Sequence, residues 1–109
     1  MSESPEGFHP PAPFTLDELD PAGLLPKRPY TKAELLGYLG HGREKCLARI
    51  ESLTDEKARQ NCAFKPDVTN AEWLLSSMRH VQHHAAQLNL LLRQATDSAP
   101  RWVAKAQSR

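Results

Sequence analysis

Residues 69–94, Thr69-Asn70-Ala71-Glu72-Trp73-Leu74-Leu75-Ser76-Ser77-Met78-Arg79-His80-Val81-Gln82-His83-His84-Ala85-Ala86-Gln87-Leu88-Asn89-Leu90-Leu91-Leu92-Arg93-Gln94, decide the fold class. Leu74, Met78, Val81, Ala85, Leu88 and Leu92 recur in alternating steps of four and three, the period of a helix with one apolar face. Thr69-Asn70-Ala71-Glu72 reads as a capping box, and Asp97, Ser98 and Pro100 close the other end, so the pattern predicts a helix over 70–94. At about 100° per residue the stripe centres near Leu74, Ala85 and Leu92. His84 then lies about 80° from that centre, His80 about 120° and His83 about 180°. His80 and His84 therefore share a strip at the border of the apolar face, with Trp73, Ser77, Gln87 and Leu91, while His83 faces outward. Neutral imidazoles one turn apart can converge on one ion, which makes the pair a metal half-site. The same spacing also occurs on helix surfaces that bind nothing, and the pattern alone does not choose between the two.

Working backwards, Thr31-Lys32-Ala33-Glu34 is another capping box, and Leu35, Leu39, Cys46, Ile50 and Leu53 follow at helical spacing with Gly42 in the missing position. A helix from Thr31 to Leu53 is expected. Its glycines, Gly37, Gly40 and Gly42, point to close packing or local distortion. Cys46 falls in the stripe as a small buried apolar residue. Thr54-Asp55-Glu56-Lys57 opens a short connector helix, and Pro66 interrupts the stretch from Asn61 to Thr69.

Seven of the nine prolines precede residue 31, so residues 1–30 read as an extended arm. Phe8, Phe14, Leu16, Leu19, Leu24 and Leu25 are too many apolar groups for a solvated tail, and the arm is expected to wrap a helical body. Residues 31–96 form the helical region and 97–109 a short tail. With 109 residues the chain holds at most one domain. A net charge of +1 from scattered residues gives no footprint for nucleic acid or an anionic membrane. No run long enough to span a bilayer and no signal peptide occur, so the chain reads as cytoplasmic. Cys46 and Cys62 form no CxxC pair and are expected as free thiols. Val81 stands where a zincin protease motif would need glutamate. His9 and His41 are further imidazoles, read first as solvated residues.

The run Arg79 to Arg93, an HxxxHH stretch followed by a glutamine and a leucine-rich turn, resembles the closing helix of DinB-like proteins. Those proteins are bacterial four-helix bundles with a histidine metal site. Pro29-Tyr30-Thr31, Tyr38-Leu39 and Leu53-Thr54-Asp55-Glu56 resemble the helix before it, and the resemblance spans roughly residues 8 to 96. It implies an all-α fold, half of an up-down four-helix bundle built from two long helices and a short connector. It also implies His80 and His84 as metal ligands, with a third histidine on an earlier helix that is absent here. The implied cofactor is a divalent ion, Zn or Ni. A low-molecular-weight thiol such as bacillithiol or mycothiol joins it in those relatives that are thiol-dependent transferases, because a bound ion deprotonates a coordinating thiol.

Two long helices cannot enclose a core alone. Either the chain forms a homodimer, or helices preceding it are missing. The opposing readings are a non-catalytic interaction or dimerisation module and an inactive truncated fragment.

Overall fold

A computed structural model describes residues 9–105. Phe8 of the arm and the last four residues of the tail lie outside the described residues. The elements run from a short 3-10 helix, Leu16–Leu19, through α1 (Lys32–Glu51) and α2 (Asp55–Arg59) to α3 (Asn70–Thr96). Among the described residues there is no strand, only a single bridge between Asn61 and Thr69, so the fold is all-α. None of these helices is long and apolar enough to cross a membrane. The chain forms two compact units, 1–70 and 71–109.

In the first unit, α1 starts where the sequence places it. The Thr31 hydroxyl accepts from the Glu34 amide at 3.2 Å, and the Glu34 carboxylate accepts from the Thr31 amide at 2.8 Å. Two of the donors that every helix start leaves orphaned are thereby satisfied. At the far end Ser52 donates its amide to the Ala48 carbonyl and closes the last turn. Thr54 caps α2 by accepting from the Lys57 amide.

Residues before α1 are not extended throughout, since Leu16–Leu19 make one 3-10 turn behind a Thr15 cap. Phe14 is the anchor. It is only 6% exposed, and its ring centre lies 4.4 Å from that of Tyr30 and 4.2 Å from that of Tyr38 on α1. Such tilted pairs add attraction between ring edges and faces to the burial itself. The expected packing of the other apolar groups is not found: Leu16, Leu19, Leu24 and Leu25 are all exposed.

Phe14 and Tyr30 cover a face of α1 next to the predicted one. Glu34, Tyr38 and His41 are half-buried, whereas Leu35, Leu39, Cys46 and Ile50 are exposed. Cys46 is therefore not the buried residue that its place in the stripe suggests. Periodicity identifies an apolar face but not what covers it, and the rings that reach α1 from the preceding segment settle on Tyr38 instead. The glycines cause no distortion, as α1 runs unbroken, and a Cβ added at Gly37, Gly40 or Gly42 would meet nothing within 4 Å.

Polar contacts fasten the same segment. Arg28 makes two hydrogen bonds to the Glu34 carboxylate, at 2.7 and 3.0 Å, and its guanidinium lies 5.9 Å from the Tyr30 ring centre. The Tyr30 hydroxyl donates to Glu18 at 2.6 Å, and that bond, followed by desolvation, raises its pKa. Arg28, then the Thr31 amide, hold the Glu34 carboxyl at about 2, below its ordinary 4.5. Because folding lowers this group's proton affinity, its stabilisation is complete above pH 4.5 and drains away as pH falls to about 2. Water reaches both partners, so the effect is small and shrinks with added salt. The melting midpoint followed by tyrosine signal is expected to fall across that window. In Glu34→Gln the dependence should be flatter, and an equally steep variant would contradict the assignment.

Residues 60–70 form a closed loop. Cys62 donates its amide to Val68, Asn70 donates its own to Gln60, and the Asn70 side chain donates to the Lys57 carbonyl at 2.8 Å. Cys62, a free thiol at 3% exposure, is the loop's buried residue.

In the second unit, α3 is 27 residues long and extends two residues beyond the predicted Gln94. Asp97 ends it in the left-handed region (φ 53°), donating its amide to the Arg93 carbonyl at 2.8 Å. That is the single-bond αL cap, and aspartate tolerates it better than most residues. From Leu75 to Thr96 every residue of α3 is exposed, its apolar stripe included, and so is Trp102 in the tail.

Candidate metal centre

Helix formation alone assembles the pair. Leucine, alanine and glutamine, all good helix formers, make up most of α3 around the histidines, and among the described residues α3 carries neither glycine nor proline. The one-turn rise then puts His80 and His84 side by side. Their ring centres are 4.6 Å apart, with planes inclined at 76°. Two imidazoles bound to one tetrahedral ion at about 2.1 Å have ring centres about 5 Å apart, so the observed spacing is within reach of a shared ion.

His84 Nδ1 and Gln87 Oε1 are 2.9 Å apart. With Nδ1–H as the donor, the ring is held in the tautomer that leaves the Nε2 lone pair free, which is how metal-binding histidines are commonly oriented. The donor set of neutral nitrogens suits Zn or Ni better than a hard, oxygen-seeking cation. These residues fit a divalent ion to the extent of two ligands.

His83 does not simply turn away. Its ring centre is 5.4 Å from that of His84, at 73°, although its Cα lies on the outward face. On the outer side of His80, a shallow open depression is lined by Ser76, Arg79, His80, Gln82 and His83. Adjacency in the His83-His84 dipeptide was the signal for this contact, since an imidazole can lean across the about 100° between neighbours.

The remaining histidines belong to the first unit. His9 is exposed in the segment before α1. His41 is half-buried, 6.5 Å from the Tyr38 ring centre, and its buried Nε2 has no hydrogen-bond partner. A pattern-based reading of His41 as a solvated residue misses this, because its burial comes from a covered face that periodicity does not reveal. Among the described residues no cluster of three or more His, Cys, Asp or Glu is arranged to hold an ion.

Comparison with known proteins bears on the same residues. No curated protein and no solved structure matches the chain. A family model described as the DinB superfamily matches residues 4–88, a span that takes in the arm, α1, α2 and α3 through His80, His84 and Gln87. With 85 of 109 residues matched, the chain belongs to the DinB superfamily.

Proposed function

We propose that the chain is a metal-binding helical protein in which His80 and His84 supply two ligands to a divalent ion, Zn or Ni. In this reading its long helices form half of an up-down four-helix bundle. One observation carries it: two imidazoles stand 4.6 Å apart on consecutive turns while Gln87 engages the Nδ1 of one of them. Bound there, the ion would supply Lewis acidity and lower the pKa of a coordinating thiol, the chemistry of a metal- and thiol-dependent transferase. The chain's own part is positional. The helix backbone fixes the separation of the rings, and Gln87 fixes the tautomer of His84.

A second reading, a non-catalytic interaction module, is favoured by the exposed apolar stripe of α3. Metal content separates the two. Apo-protein prepared with a chelator and titrated with Zn or Ni by calorimetry is expected to bind stoichiometrically. His80→Ala and His84→Ala should abolish binding, and Gln87→Ala should weaken it by about tenfold. Undiminished metal content in both histidine variants would sink the ligand assignment, and a wild-type chain that takes up no ion supports the interaction module.

A further inference from the structure

We infer that a second copy of this chain completes the metal centre: two α3 helices pack antiparallel about a two-fold axis, and His80 and His84 of both copies enclose one divalent ion. The inference rests on the reading of His80 and His84 as ligands. Two imidazoles fill half of a tetrahedral shell, and although the His83 ring lies 5.4 Å from that of His84, the described residues form no group of three that could hold an ion. A two-fold copy supplies two more of the same kind.

The position of the pair on its helix favours that occupant over an unrelated one. Residue 83 is the midpoint of α3, and the pair is centred one residue away, at Gln82. An axis through the middle of an antiparallel pair therefore overlaps both helices along their whole length and brings the two histidine pairs to the same height. Away from the midpoint, ligand convergence and full overlap would exclude each other. Antiparallel packing also sets the two helix dipoles head to tail.

The surface suits self-association. Ser77, Val81, His84, Leu88, Leu91 and Ala95 alternate in steps of four and three, a helix-pairing seam in which His84 is itself a seam residue. The seam carries no charge: Glu72, Arg79 and Arg93, the charged residues of α3, fall at about 140–160° from its centre. A two-fold axis sets like residues near like, so a charged seam would repel its copy and this one does not. Val81, Leu88 and Leu91, the large apolar residues of the seam, are 61–67% exposed.

Sedimentation equilibrium and native mass spectrometry of the full chain, freed of metal and then given ZnCl2, test the inference. The expected species is a dimer with one Zn per two chains, its dimer dissociation constant tightened about tenfold or more by Zn. Co2+ in place of Zn should give the visible absorption of a tetrahedral site. His84→Ala is expected to remove the effect of Zn on association. Leu88→Lys, which leaves every imidazole in place, should yield a monomer with weakened Zn binding, its helix content checked by circular dichroism. His80→Gln gives a second, milder test of the ligand set. A monomer holding one ion per chain overturns the second copy and leaves the ligand reading standing. A chain that binds no ion overturns both. A dimer whose Zn dependence survives in His84→Ala and His80→Gln overturns the shared site.

Discussion

Replacing Phe14 by alanine is expected to lower stability by about 3 kcal/mol, the range measured for removing a buried aromatic ring. Among the described residues only Phe14 and Cys62 are buried apolar side chains, so the first unit has little other apolar burial to hold the segment before α1. The ring bridges Tyr30 and Tyr38 at 4.4 and 4.2 Å, and its removal deletes both contacts and opens a cavity between them. The chain's two tyrosines are these two residues, while both tryptophans, Trp73 and Trp102, lie in the second unit. Near-ultraviolet dichroism of tyrosine therefore reports on the first unit directly. Urea titration followed by that signal should show the midpoint of Phe14→Ala far below wild type. Leu16→Ala, at a half-exposed neighbour, should stay within about 0.5 kcal/mol. Equal midpoints for Phe14→Ala and wild type would mean that the aromatic cluster does not hold this segment in place.

Val81→Pro should cost α3 about 3 kcal/mol or more and abolish metal binding, although it touches neither histidine. Proline at 81 removes the amide that donates to the Ser77 carbonyl and drives its ring into that carbonyl, which kinks or breaks the helix between His80 and His84. The two rings stand 4.6 Å apart only because one uninterrupted turn separates them. Val81→Ala keeps the turn and should bind metal nearly as the wild type does. Far-ultraviolet dichroism measures the helix loss and calorimetry the metal. A proline variant that still binds Zn at wild-type affinity would show that the helical spacing is irrelevant to the site.

What could be read from the sequence is what depends on near neighbours. Thr31 and Glu34 are three residues apart and their capping box formed as expected; Thr54 likewise caps α2. His80, His84 and Gln87 lie within two turns of a single helix, so helix geometry alone predicts their approach. The contacts that went unread span longer stretches of chain. Phe14 meets Tyr38 across 24 residues, and Arg28 reaches Glu34 only because the backbone turns back onto α1. Nothing in the spacing of α1 distinguishes the face carrying Tyr38 from the face carrying Leu39, since both are amphipathic. The choice was made by the rings that come before the helix, and Cys46 and His41 exchanged their expected environments as a result.

The closed loop at residues 60–70 has a kinetic meaning for α3. An isolated helix is slow to begin because its first turn fixes several backbone angles in return for one hydrogen bond. Asn70, the first residue of α3, is already tied by its amide to Gln60 and by its side chain to Lys57. Part of the ordering that nucleation requires is therefore borne by the loop, which favours growth from that end towards Thr96. Growth from that end would order the histidine pair, near the helix midpoint, only after about three turns, which makes Asn70 a remote determinant of how often the two imidazoles stand together.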